Sequence, residues 1–184
     1  MSGRPGIFCL EGQWTDDLRD EGAVEPLLDT LRRLEIADVI YRDVATRAEL
    51  DYYVARWRLK RYADYNIGYF AFHGSPGALH IGTTESVTLE ELGRLLAGRC
   101  DGRLIHFGAC ATLRVSEERL SSFKRATGAW AVSGFTRNIG WLRSAAFELG
   151  LFAEVNAVSH PSTLVRRLGN LQAGLIAELG WVCV

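Results

Sequence analysis

Tyr69-Phe70-Ala71-Phe72-His73-Gly74 and Ile105-His106-Phe107-Gly108-Ala109-Cys110 are the two stretches whose reading decides the fold. Each is a short apolar run without polar alternation, the pattern of a strand buried on both faces of a parallel sheet. Each run stops at a reactive side chain. Histidine is the commonest general base, and cysteine is the most nucleophilic side chain at neutral pH.

Outward from these runs, strand and helix patterns alternate along the 184 residues. Gly6 to Leu10 and Asp38 to Val44 read as the first two strands. Asn66 to Phe72, Arg103 to Ala109 and Ala129 to Phe135 read as the third, fourth and fifth. Pro26 suits the first turn of a helix whose apolar stripe is Leu27, Leu28, Leu31 and Leu34. Thr46 with Glu49, and Thr88 with Glu91, are capping boxes that open two more helices. Ser116 starts another helix, and Gly128 stops it. Trp141 to Val155 has apolar residues at helical spacing, and a last helix opens at Pro161. Ser75 to Val87 looks like a small hairpin, and Trp181 to Val184 like a final strand or a packed tail.

The alternation predicts an α/β three-layer sandwich with a mostly parallel central sheet, as one domain over residues 1–184. Flavodoxin-like winding begins its strand order 2-1-3-4. The third and fourth strands are then neighbours, about 4.8 Å apart. Both end on the carboxyl edge, where open α/β sheets place their sites. His73 and Cys110 are therefore expected within reach of each other, as base and nucleophile of a dyad. Gly74 frees the backbone beside His73, and its amide, with that of Cys110, is expected to serve an oxyanion. His106 is not the base: four strand residues separate it from Cys110 by about 13 Å.

The bulk composition is that of an ordinary globular chain, 48% hydrophobic and 23% charged. A net charge of −1 gives no reason to expect nucleic acid or an anionic membrane as partner. No apolar run approaches the ~18 residues of a membrane span. Met1-Ser2-Gly3-Arg4-Pro5-Gly6 lacks the apolar segment of an export signal. The four cysteines show no paired spacing, which points to free thiols in a reducing, cytoplasmic setting. No HExxH or paired-cysteine pattern calls for a metal. The turn Leu10-Glu11-Gly12-Gln13-Trp14 is not a dinucleotide fingerprint, so no cofactor is expected.

The same residues resemble the caspase-like cysteine peptidases of clan CD, most closely their CHAT branch. His73-Gly74 and Gly108-Ala109-Cys110 match that family's dyad positions. Ala78-Leu79-His80-Ile81-Gly82 matches its small hairpin, and Thr88-Leu89-Glu90-Glu91-Leu92 the capped helix that follows. Thr127-Gly128-Ala129-Trp130-Ala131-Val132-Ser133-Gly134 matches its next strand. The likeness covers roughly residues 60–155. It implies a caspase–hemoglobinase fold and a cysteine endopeptidase that works through an acyl-thioenzyme on a protein or peptide substrate. It also implies a protein activator, or, as an alternative, a catalytically silent binding or scaffold module. Pockets in such a fold are lined by the loops after the first and fifth strands. Glu11 would then favour a basic side chain in the substrate and Arg137 an acidic one, with His80 near the cleft. The Gln-Ala-Cys-Arg-Gly context of animal caspases is absent.

Overall fold

The computed structural model describes residues 4–17, 19 and 22–184. Met1 to Gly3, part of the stretch read above for an export signal, lie outside the described residues. The order along the chain is β1 (Gly6–Gly12), α1 (Glu25–Arg33), β2 (Asp38–Val44), α2 (Arg47–Trp57), β3 (Ile67–Ala71), β4 (His73–Ser75), β5 (Ala78–Ile81) and β6 (Glu85–Thr88). There follow α3 (Leu89–Leu96), β7 (Leu104–Phe107), α4 (Glu117–Thr127), β8 (Ala131–Phe135), α5 (Trp141–Glu154), α6 (Pro161–Leu179) and β9 (Trp181–Cys183).

Six strands form the central sheet in the order β2-β1-β3-β7-β8-β9. All neighbours run parallel except β9, which is antiparallel to β8. The sheet is buried on both faces because its side chains alternate between two apolar cores. Phe8, Leu10, Phe70 and Phe107 pack with Leu50, Val54 and Trp57 of α2, Leu92 of α3 and Phe123 of α4. Ile7, Cys9, Tyr69 and Leu104 pack with Leu28 and Leu31 of α1, Phe147 and Leu151 of α5, and Leu164 and Leu168 of α6. Helices thus cover both faces of a mostly parallel sheet. Among the described residues no helix is long and apolar enough to cross a membrane.

Both capping boxes form. The Thr46 and Thr88 side chains accept from the Glu49 and Glu91 amides, and each glutamate reaches back to its cap. Ser116 caps α4, which ends on Gly128 at φ 71°. The insert after the third strand is larger than a hairpin. It is a separate antiparallel sheet, β4-β5-β6, and it begins at His73 itself. The third strand leaves the main ladder one residue earlier than the apolar pattern suggests, because Phe72 is buried by packing although it is not in the ladder. The tail Trp181–Cys183 is a strand, paired through Ser133, Gly134 and Phe135.

Candidate active site

The register of β3 on β7 pairs Phe70 with Phe107, so the two strands end level. The Gly108 amide still donates to Phe70 O at 3.0 Å, after which the chain turns away from the ladder. The turn that carries Cys110 is held from three sides. Ala111 N donates to Arg137 O (2.9 Å), Leu113 N to Phe135 O (3.1 Å), and Gly77 N to Thr112 O (3.0 Å). These bonds fix a costly backbone: Ala111, directly after the cysteine, has φ 52°. A non-glycine residue in that region costs on the order of 1–3 kcal/mol, and such strain concentrates at functional sites.

Gly74 is required by close approach. A Cβ at Gly74 would stand 2.7 Å from Cys110 O and 2.2 Å from Thr112 Oγ1. The backbone beside His73 therefore lies directly against the cysteine turn. Gly74 faces Leu79 in the β4–β5 register.

His73 is exposed, and its orientation is set by a backbone group. Its Nε2 lies 2.7 Å from Trp14 O. A carbonyl can only accept, so Nε2 carries the proton, and in the neutral ring Nδ1 holds the lone pair. The Trp14 indole packs edge-on against the imidazole, with centroids 5.1 Å apart. Trp14 is pinned in turn, its indole N–H donating to Glu11 Oε1 at 2.5 Å.

Cys110 is half-buried and free. Its thiol donates to Ile139 O (3.9 Å), and Ile139 N–H donates to Sγ (3.4 Å). His73 and Cys110 line one cavity of about 390 Å³. The other cysteines are unsuited to react. Burial pushes the Cys9 thiol well above its ordinary range, Cys100 up to about 11 and Cys183 up to about 12.

The other residues singled out from sequence lie elsewhere. Glu11 is buried, and it does not line the Cys110 cavity. Its carboxylate is occupied internally, by the Trp14 indole, by Val24 N–H (2.8 Å) and by the Tyr41 hydroxyl (2.6 Å). Burial raises its pKa against the opposing pull of those bonds. The Arg137 guanidinium is spent on the carboxyl end of α6, donating to Ala177 O at 2.8 Å. Neither charge meets the other, and neither lines the Cys110 cavity; Glu11 lines instead the adjoining pocket, which shares Trp14, Ala23 and Pro26 with it. The reason is geometric: the Glu11 side chain turns back toward β2, and Arg137 turns toward α6. His80 sits opposite His73 on β5, with Nε2 3.0 Å from Ser75 Oγ, outside the cavity lining.

Beneath the site is a polar group that sequence reasoning missed. The buried Glu148 receives the Tyr69 hydroxyl (2.9 Å), and the His106 ring lies 3.1 Å away through Nε2, its Nδ1 2.8 Å from Ser133 Oγ. Gly108 leaves room for it: a Cβ there would come within 2.9 Å of Glu148 Oε1. A glutamate on the apolar stripe of α5 was the available signal, since a buried carboxylate must have partners. Trp141 and Leu142, at the start of α5, also line the cavity. Among the described residues no group of three His, Cys, Asp or Glu side chains is placed to hold a metal ion.

A family model matches residues 5–182, and the chain belongs to that family, a family of unknown function (DUF6642). No curated protein matches the chain.

Proposed function

We propose that the protein is a cysteine peptidase, a thiol hydrolase of caspase-like fold and closest to the CHAT branch, that cleaves a peptide bond with Cys110 and His73. One observation carries this reading: His73 and Cys110 line a single cavity at the carboxyl edge of the sheet, and the Trp14 carbonyl leaves Nδ1 as the only ring lone pair. The motif resemblance over residues 60–155 supports the same assignment.

In the proposed reaction Sγ attacks the substrate carbonyl carbon while His73 Nδ1 takes the thiol proton. The oxyanion is met by the amides of Gly74 and Cys110. Collapse breaks the C–N bond, and the imidazolium returns the proton to the leaving amine. Water, deprotonated by His73, then cleaves the thioester and releases the acid and the free thiol. No cofactor enters these steps. Four cysteines outside any disulfide favour work in the reducing cytoplasm.

A second reading, a module that is silent until a protein activator binds, is favoured by one detail. The thiol's hydrogen bonds run to Ile139 and not to His73. Catalytic bonds often tighten only with substrate in place, so this detail is also compatible with an enzyme at rest.

The test is turnover of a peptide library by the purified protein, with Cys110→Ala and His73→Ala alongside. His73 is exposed, so its replacement is expected to fold. General-base catalysis predicts a loss of roughly 10²-fold or more for His73→Ala and complete loss for Cys110→Ala. Cleavage that survives Cys110→Ala refutes the assignment. A wild-type chain that cleaves nothing, and whose Cys110 is alkylated at the same rate with and without His73, favours the silent module.

A further inference from the structure

We infer that the site selects a large, uncharged apolar side chain, aliphatic or aromatic, on the residue whose carbonyl is attacked. This rests on the thiol-hydrolase reading above. The cavity that holds Cys110 and His73 is about 390 Å³, inside the ~300–1,000 Å³ range of small-ligand sites. Because the nucleophile is part of its wall, the side chain placed to fill it is that of the residue whose carbonyl is attacked.

Its walls are hydrocarbon and indole. Trp14 closes one side, Val24, Pro26 and Leu27 come from the start of α1, and Trp141 and Leu142 from the start of α5. The Trp14 and Trp141 rings meet edge to face with centroids 4.6 Å apart. Trp141 and Leu142 are 48% and 81% exposed. They line the same cavity as the thiol, so this apolar surface is open to a substrate side chain.

Among the described residues, the cavity wall offers no free charge to complement an acidic or basic side chain. Besides His73, the one ionisable side chain among the described wall residues able to carry a full charge at neutral pH is Glu148. It is 2% exposed, with its two oxygens engaged by Tyr69 and His106. Glu11 and Arg137 are turned away, as described. An acidic side chain would enter without a cation, and a basic one would leave water for a carboxylate already bonded. Both cost more than apolar contact returns.

The test uses peptidyl chloromethyl ketones that differ only in the residue next to the ketone: Leu, Phe, Ala, Asp or Lys. The sulfur displaces chloride to form a thioether, and intact mass gives the rate of Cys110 modification. Leu and Phe are expected to label roughly 10-fold faster than Ala and roughly 100-fold faster than Asp or Lys. Leu142→Asp, at an exposed position that tolerates substitution, is expected to slow the Leu and Phe probes and speed the Lys probe. Asp or Lys as the fastest probe, or equal rates for all, overturns this inference and leaves the thiol-hydrolase reading intact. Labelling by every probe that is unchanged in His73→Ala overturns the underlying reading instead.

Discussion

Replacing Glu11 separates the role of its shape from the role of its charge. Glu11→Ala removes the acceptor for the Trp14 indole, the Val24 amide and the Tyr41 hydroxyl. Tyr41 has a second acceptor in Asp43 Oδ1, 2.7 Å away, so it is not stranded. The Val24 amide and the Trp14 indole are. A stranded buried donor costs about 1–3 kcal/mol; that applies in full to the Val24 amide and less to the half-buried indole, so with the lost side-chain packing the total comes to ~2–4 kcal/mol. Against a domain stability of roughly 5–15 kcal/mol, that is a large fraction. Unpinning Trp14 also frees the carbonyl that orients His73, and misplacement by an ångström costs about 10²-fold in rate.

Glu11→Gln is predicted to behave differently. Its carbonyl can keep the Trp14 and Val24 bonds, which share Oε1. Its amide can donate to the Tyr41 oxygen, and the Tyr41 hydroxyl then donates to Asp43. One hydroxyl proton no longer has to serve two carboxylates. Because burial raises the Glu11 pKa, the native state favours the protonated side chain. That stabilisation is full below the ordinary carboxylate value of 4.5 and is lost as pH rises through the raised one. Glu11→Gln should therefore match the wild type in acid and become the more stable of the two as pH rises past that value. Urea unfolding across pH measures stability, and Cys110-dependent turnover measures His73 placement. Glu11→Ala within about 0.5 kcal/mol of wild type, a typical surface effect, would refute the reasoning. So would Glu11→Gln as damaging as Glu11→Ala, which would show that charge decides and not the hydrogen-bond geometry.

Three further outcomes are expected. Gly74→Ala should abolish turnover, since its Cβ would fall 2.2 Å from Thr112 Oγ1 and 2.7 Å from Cys110 O; retained activity with an unchanged Cys110 alkylation rate would contradict this. Limiting iodoacetamide on the folded protein should modify Cys110 first. A thiol at about 11 has a thiolate fraction at neutral pH roughly 300-fold below that of free cysteine at ~8.5. Peptide mapping that finds Cys100 or Cys183 modified as fast as Cys110 would remove the basis for the site. Finally, Arg119 holds the Glu90 carboxylate down to about 2 through bonds of 2.6 and 2.8 Å. The pair joins α3 to α4, and its contribution is present above the ordinary value and lost as pH falls toward 2. Both partners are more than a third exposed, so after solvent screening the effect of Glu90→Gln on unfolding at neutral pH should be about 0.5 kcal/mol and should shrink with added salt.

The chain's local chemistry by itself determined most of the framework. The apolar run Ile67–Ala71, and the run Leu104–Phe107 interrupted only by His106, mark strands covered on both faces. Thr46, Thr88, Ser116 and Gly128 mark helix ends because a cap is a bond between near neighbours in sequence. The same locality made His73-Gly74 and Gly108-Ala109-Cys110 readable as strand-end motifs. What only the tertiary structure decided is how those ends are furnished. The partner of His73 is the carbonyl of Trp14, and those of Cys110 are backbone groups of Ile139. Every residue has a carbonyl and nearly every residue an amide, so no residue type announces such a contact. Glu11 shows the converse. Its charge suggested a specificity determinant, yet its neighbours turned it inward to hold Trp14. Side-chain identity limits which bonds can form; the packing of distant segments chooses among them.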